Sequence, residues 1–247
     1  MNKKKILLFG IHLLIIALIV ITHYDVWFPE KEEVEEKEKI IKKEEPQQGD
    51  PVFKSEYDCN NNDIDDFNDF VIGARKEAEA NTAYIEDGGY YNNNGYPPDG
   101  IGVCTDTIWR AFKEAGYILK DMVDEDIANN LSAYPDPSSR PNGPDPIVDF
   151  RRVQNLKVFF DRHATSLTLD PYDTDKWKPG DIVVIGERYS HIGIISDKIN
   201  DEGIPYLIHN SDEFSGEQDV LIYRYDKDGI SGHYRFDKPG NHCKIGN

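Results

Sequence analysis

Three residues of this chain combine the right type with the right setting for acyl-transfer chemistry: Cys104, His191 and His209. Cys104 stands in Gly102-Val-Cys-Thr-Asp-Thr-Ile-Trp109, where a loop rich in Gly, Asn, Tyr and Pro gives way to an apolar-periodic segment that reads as a helix. A helix N-terminus offers free N–H groups and roughly half a unit of positive charge. That setting favours thiolate, and the same N–H groups can hold the oxyanion of a tetrahedral intermediate. His191 opens the strand-like run His-Ile-Gly-Ile-Ile, placed to take the thiol proton and return it to a leaving amine. His209 ends the next strand-like run, Leu207-Ile-His-Asn210, and adjacent antiparallel strands bring such positions side by side. His209, or failing that Asn210, is the candidate to orient the imidazole of His191, the third role of a catalytic triad.

Each of these residues also has an ordinary structural use. A single cysteine is most often a small buried hydrophobe, and a histidine among apolar residues is most often a satisfied core group. The order of cysteine at a helix start, histidine at one strand and a polar residue at the next is more specific than any one member. The three side chains are also a chemically acceptable zinc set with an open position, although the helix-start location favours a nucleophile over a ligand. Around this centre, Asp106 either binds substrate or caps the helix. Arg151 and Arg152 either grip a substrate carboxylate bidentately or pair with Asp145 and Asp149. Tyr90 and Tyr91 line the cleft or donate a hydroxyl to the oxyanion, and His233 reads as structural.

The elements that must position these residues follow from hydrophobic period. Helical spacing covers 66–82, 104–115, 121–131 and 155–162, and Gly116 supplies a C-terminal stop. Strand patterns follow at 182–185, 190–196, 206–209, 220–225 and 232–236, with 132–146 left as a loop dense in Pro and Ser. Helices first and short strands second is an α+β order, with helices packed on an antiparallel sheet.

Several of these segments together resemble a known family. Gly-Val-Cys-Thr-Asp106, Arg151-Arg-Val-Gln-Asn-Leu156, Lys178-Pro-Gly-Asp-Ile-Val183, His191-Ile-Gly-Ile-Ile-Ser-Asp197, Ile208-His-Asn210 and Gly232-His-Tyr-Arg235 are similar to the bacterial domain of unknown function 1287. The resemblance spans most of 66–236 in order. That family looks like a relative of the NlpC-type papain-like cell-wall peptidases and amidases. The resemblance implies a papain-like fold, with Cys104 as nucleophile, His191 as base and His209 as orienting residue, and requires no cofactor or metal. Two positions depart from the family pattern: Phe150 stands where a histidine is common, and Gln154 where a proline is common.

Three segments organise the 247 residues: an N-terminal membrane anchor over 1–28, a charged stalk over 29–57, and the hydrolase domain over 58–247. The first segment carries three lysines before an apolar run from Ile6 to Ile21, flanked by Tyr24 and Trp27 at interfacial positions. That run lacks an A-x-A-like cleavage site, which favours an uncleaved anchor over a removed signal peptide. The lysines place the remainder outside the cytoplasm. The Glu/Lys-rich stalk has too few apolar residues to bury a core. The excess of 46 acidic over 28 basic residues argues against nucleic acid as a partner. A single-pass extracytoplasmic enzyme would meet peptidoglycan peptides as its natural substrate. The competing class is a non-catalytic cell-wall-binding module of the same fold. Cys59 and Cys243, near the two ends of the folded part, either form one staple or both remain free.

Overall fold

The computed structural model describes residues 53–86, 89–135, 143–186, 188, 190–213 and 215–243. The expected anchor and nearly all of the expected stalk lie outside the described residues. Among the described residues, no helix is long and apolar enough to cross a membrane. Phe53 to Tyr57, read from sequence as the end of the stalk, pack on the domain. Phe53 stacks on Phe67 at 5.2 Å, and the Ser55 N–H donates to Asp65.

Five α-helices and an antiparallel sheet make up the fold among these residues. Helix α1 spans Asp66–Glu79, α2 Cys104–Glu114, α3 Leu119–Asn129, α4 Val153–His163 and α5 Leu221–Asp228. Strands β1 (Ala83–Tyr84) and β2 (Ile101–Gly102) pair in parallel as a small separate sheet. The main sheet contains β3 (Thr165–Ser166), β4 (Ile182–Ile185), β5 (His191–Ile199), β6 (Pro205–His209), β7 (Gly216–Gln218) and β8 (Ile230–Arg235). Its order is β3-β8-β4-β5-β6-β7, with every neighbouring pair antiparallel.

Both faces of this sheet are covered, and the alternation of side chains divides its residues between two cores. Ile182, Val184, Ile192, Ile194 and Ile208 face the helical layer, meeting Phe70 of α1, Ile108 and Phe112 of α2, and Phe159 and Phe160 of α4. Val183, Ile185, Ile195 and Leu207 face the other way, onto Val220, Leu221 and Trp177. β4 is therefore buried at all four positions, which is why its sequence, Ile-Val-Val-Ile, shows no polar alternation.

The segment at 220–225 corrects the sequence expectation of a strand: it enters α5 instead. A short run of β-branched and aromatic residues cannot be told from a buried helix by period alone. Here Leu221 and Arg224, three apart, form one buried face against the sheet, and packing overrides the local preference. The two-residue strand β3 and the edge strand β7 had no detectable pattern.

The Lys178-Pro-Gly-Asp181 turn fixes the start of β4. Gly180 has φ +84°, and a Cβ there would meet the Phe67 carbonyl at 2.6 Å. Asp181 accepts from the Lys178 N–H at 2.9 Å and from Arg235. His233 stacks on Trp177 at 3.7 Å. Its ring nitrogens lie 2.7 Å from the Thr168 carbonyl and 3.0 Å from an Asp181 carboxylate oxygen, a buried structural setting.

Candidate active site

Cys104 is the first residue of α2 and the free cysteine among the described residues, buried at the start of the helix. Its neighbour on the sheet is β5. The backbone N–H groups of Ile192, Thr105 and Cys104 itself act on the sulfur and favour its thiolate. Burial nevertheless dominates and pushes the thiol up to about 12. The sequence expectation of a lowered thiol pKa is thus reversed in the resting structure: desolvation of the charged form outweighs the helix terminus.

Ile192 follows His191, so the sulfur sits one residue along the strand from the candidate base. His191 Nε2 and His209 Nδ1 lie 2.7 Å apart, with rings nearly perpendicular at 81°. Strands β5 and β6 bring them together, as the sequence spacing anticipated. Burial lowers His191 to about 3, with a further push from the Arg224 guanidinium. His209 falls to about 2 through burial, His191 and Arg224, in that order. Both imidazoles are therefore neutral at ordinary pH. No hydrogen bond joins the Cys104 sulfur to the His191 ring among the described residues. In unliganded sites such bonds are often long and tighten only with substrate bound.

The zinc reading finds no support in this arrangement. Among the described residues the trio of donor atoms lying within 4.8 Å of one another is Cys59, Asp66 and Cys243. Its two sulfurs are joined in a disulfide, with Cα atoms 5.2 Å apart. The ends of the domain are stapled.

Asp106 resolves as a cap and a clamp. It is the third residue of α2 and reaches back to the Val103 N–H at 2.7 Å, satisfying one donor at the helix start. The same carboxylate accepts from Trp109 Nε1 at 2.7 Å and from Arg151 Nε and Nη2 at 2.9 and 2.7 Å. Asp106 is fully buried and the Arg151 side chain is 5% exposed. Arg151 is therefore spent on Asp106, correcting the expectation that it pairs with Asp145 or Asp149 or meets substrate. Its guanidinium also lies over the Tyr90 ring at 3.9 Å. The Tyr91 side chain lies outside the described residues. Asn210, buried behind His209, accepts from Ser215 Oγ at 2.9 Å and leaves the contact with His191 to His209.

Beside Cys104 opens a cleft of about 260 Å³ whose walls include Tyr84, Glu86, Tyr90, Arg152, Gln154 and Ser190. Tyr84 is pushed up to about 12 by burial, then by Cys104 and Glu86, and its hydroxyl donates to Glu86 at 3.3 Å. Sequence reasoning missed Tyr84 and Glu86, which sit on and beside a two-residue strand with no pattern to betray it. It also missed Arg224, hidden in the segment misread as a strand. Of the two departures from the resembled family, Phe150 is fully buried and packs on Tyr96 at 5.3 Å. Gln154 lines the cleft and donates to the Arg188 carbonyl at 3.3 Å.

The family model described as domain of unknown function (DUF1287) matches residues 71–236, a stretch that contains Cys104, His191 and His209. One relative, described as "Uncharacterized protein YijF" from Escherichia coli (strain K12), is 35% identical over 142 residues, 56% of this chain. The chain thus spans 66% of that relative's own length. No solved structure matches.

Proposed function

The chain belongs to the DUF1287 family, and from that premise we propose that it is a cysteine hydrolase, a peptidase or amidase, with Cys104 as nucleophile. The observation that carries this reading is the convergence at one end of β5. The Ile192 N–H lies near the Cys104 sulfur and favours its thiolate, and the preceding residue, His191, is hydrogen-bonded to His209. The order of elements, a cysteine-bearing helix on an antiparallel sheet with histidines on consecutive strands, supports a papain-like fold of NlpC type.

The chemistry follows from the tautomers. A proton on His191 Nε2, donated to His209 Nδ1, leaves the lone pair on His191 Nδ1. As the sulfur attacks a substrate carbonyl, its proton passes to Nδ1 and an S–C bond forms. The oxyanion is held by N–H groups at the start of α2. His191 then protonates the leaving amine as the C–N bond breaks. Water, deprotonated by the same imidazole, cleaves the thioester and regenerates the thiol. His209 holds the ring in the correct tautomer throughout.

The substrate class we propose is a peptide amide of peptidoglycan, met outside the cytoplasm by a domain tethered through the N-terminal apolar segment. The Cys59–Cys243 disulfide supports an oxidising compartment. The second reading, a non-catalytic wall-binding module, is favoured by one observation, the resting thiol at about 12.

Alkylation of Cys104 by iodoacetamide separates the two. In the hydrolase reading His191 takes the thiol proton, so Cys104 reacts through an ion pair whose population is independent of pH between the titrations of the coupled pair. Around neutral pH the wild-type rate should therefore exceed that of His191→Ala and vary little with pH, whereas the variant should rise about tenfold per pH unit as an isolated thiol does. A profile that rises with pH as an isolated thiol does and ignores His191 removes the hydrolase reading and leaves the binding module.

A further inference from the structure

Eight arginines are described, and six of them lie against a carboxylate. Arg75 meets Asp197 and Glu217, Arg110 meets Glu77, and Arg151 meets Asp106. Arg162 meets Asp126, Arg224 meets Asp228, and Arg235 meets Asp181. Such pairing is expected in a chain with 46 acidic and 28 basic residues. The two exceptions are Arg152 and Arg188, both exposed and without a side-chain ion pair or hydrogen bond among the described residues. They stand on segments that meet at the cleft. Arg152 forms part of the wall of the cleft beside Cys104. The Arg188 carbonyl is held by Gln154, another wall residue, and Ser190 of the same short turn completes that side. Among the described residues, an acidic protein has left Arg152 uncommitted in the wall of the pocket that holds its nucleophile, with the exposed Arg188 on the adjoining turn.

We propose that this cleft selects a substrate bearing a free carboxylate close to the scissile amide, bound by Arg152 with Arg188 beside it. The inference rests on the cysteine-hydrolase reading and names the substrate class of that site. A guanidinium presents paired N–H donors that match a carboxylate in two parallel bonds. Its neighbour Arg151 is buried and committed, because its Nε/Nη2 edge is taken by Asp106 and its face by Tyr90. The cleft lining also includes Glu86, whose carboxylate disfavours a substrate carboxylate near itself and so leaves Arg152 as the favoured contact for an acidic group. The carboxylate is the C-terminus of a peptide or an acidic side chain within one.

The test uses the full-length chain in non-ionic detergent and two reagents that differ only in charge. Iodoacetate and iodoacetamide each form an S–C bond with Cys104 and expel iodide. The disulfide keeps Cys59 and Cys243 out of the reaction. The double variant Arg152→Ala, Arg188→Ala should lose about tenfold in the iodoacetate rate at low salt while keeping the iodoacetamide rate, and the difference should shrink as salt is added. An unchanged ratio of the two rates overturns the proposal.

A second measurement does not depend on the thiol. In Cys104→Ala, nuclear magnetic resonance titration with N-acetyl-dialanine should shift the Arg152 Nε–H signal, and the carboxamide of the same peptide should not. N-acetyl-glutamyl carboxamide distinguishes a side-chain carboxylate from a terminal one. Equal response to acid and amide overturns the carboxylate claim. An inert thiol together with acid-selective binding leaves the claim standing and removes only the hydrolase reading.

Discussion

At the scale of single residues, the proposed chemistry is legible in the sequence because it resides in residue types that have few other reasons to fall in this order. Cys104, His191 and His209 are proposed from their spacing, and the structure puts the two histidines 2.7 Å apart. What spacing could not give was charge state. Helix-terminus reasoning points to thiolate, yet burial leaves a neutral thiol beside neutral imidazoles. The role of Asp106 was likewise open until its four bonds were visible, two of them to Arg151, 45 residues along the chain. Removing one partner of a buried ion pair strands the other, which typically costs about 3–5 kcal/mol. Asp106→Ala should therefore lower stability by that amount in urea denaturation, and a loss under about 1 kcal/mol would show that Arg151 finds another partner. The histidines make a prediction about pH. Their folded values, about 3 and about 2, lie below the ordinary 6.5, so the unfolded chain binds more protons between those limits. Stability from this source is complete above about pH 6.5 and declines as pH falls toward 3, by at most about 1.4 kcal/mol per unit per histidine. Asp124, raised to about 7 by burial, works in the opposite direction over the same range, so the histidine contribution is read as a difference. Wild type should lose stability on acidification from pH 6.5 to 4 more steeply than His209→Gln.

At the scale of elements, helices α1, α2 and α4 and strands β4, β5, β6 and β8 fall within a few residues of their expected places. They are long or strongly patterned enough for period to decide. Helix α5 was misread because its sequence, Leu-Ile-Tyr-Arg-Tyr, has strand-forming residues and too few turns for a helical period to emerge. That error concealed Arg224, whose charge helps to keep both histidines neutral. The register of β5 on β6 is what aligns the histidines, and it depends on Gly193. A Cβ at Gly193 would stand 2.7 Å from Leu207 Cδ1 and 2.9 Å from the Ile208 carbonyl. Because one of those atoms is backbone, relief requires the strands to part. Gly193→Ala should cost about 1–3 kcal/mol and disturb the His191–His209 contact. The measurements are a urea midpoint and the histidine ring signals in nuclear magnetic resonance. A variant as stable as wild type with unchanged ring signals would contradict this placement of the strands.

At the scale of the whole molecule, the α+β class followed from the order of helices and strands, but the closure of the domain did not. Sequence left Cys59 and Cys243 as a staple or as two free thiols, because separation along the chain carries no information on approach. The folded domain joins them across 184 residues, beside Tyr117, whose hydroxyl lies 2.8 Å from Cys59 Sγ. Closing so long a loop restricts the unfolded chain, and losing a native disulfide typically costs about 2–5 kcal/mol. Reduction, or Cys59→Ser, should lower the urea midpoint accordingly, and an unchanged midpoint would mean that the staple is dispensable.

The central claim is that Cys104 cleaves an amide, and the most direct measurement is the release of new amines from purified muropeptides by the full-length chain. The account predicts release by wild type and none by Cys104→Ala. Muropeptides left unchanged by wild type across pH and salt, or cleaved equally by the Cys104→Ala variant, would contradict it.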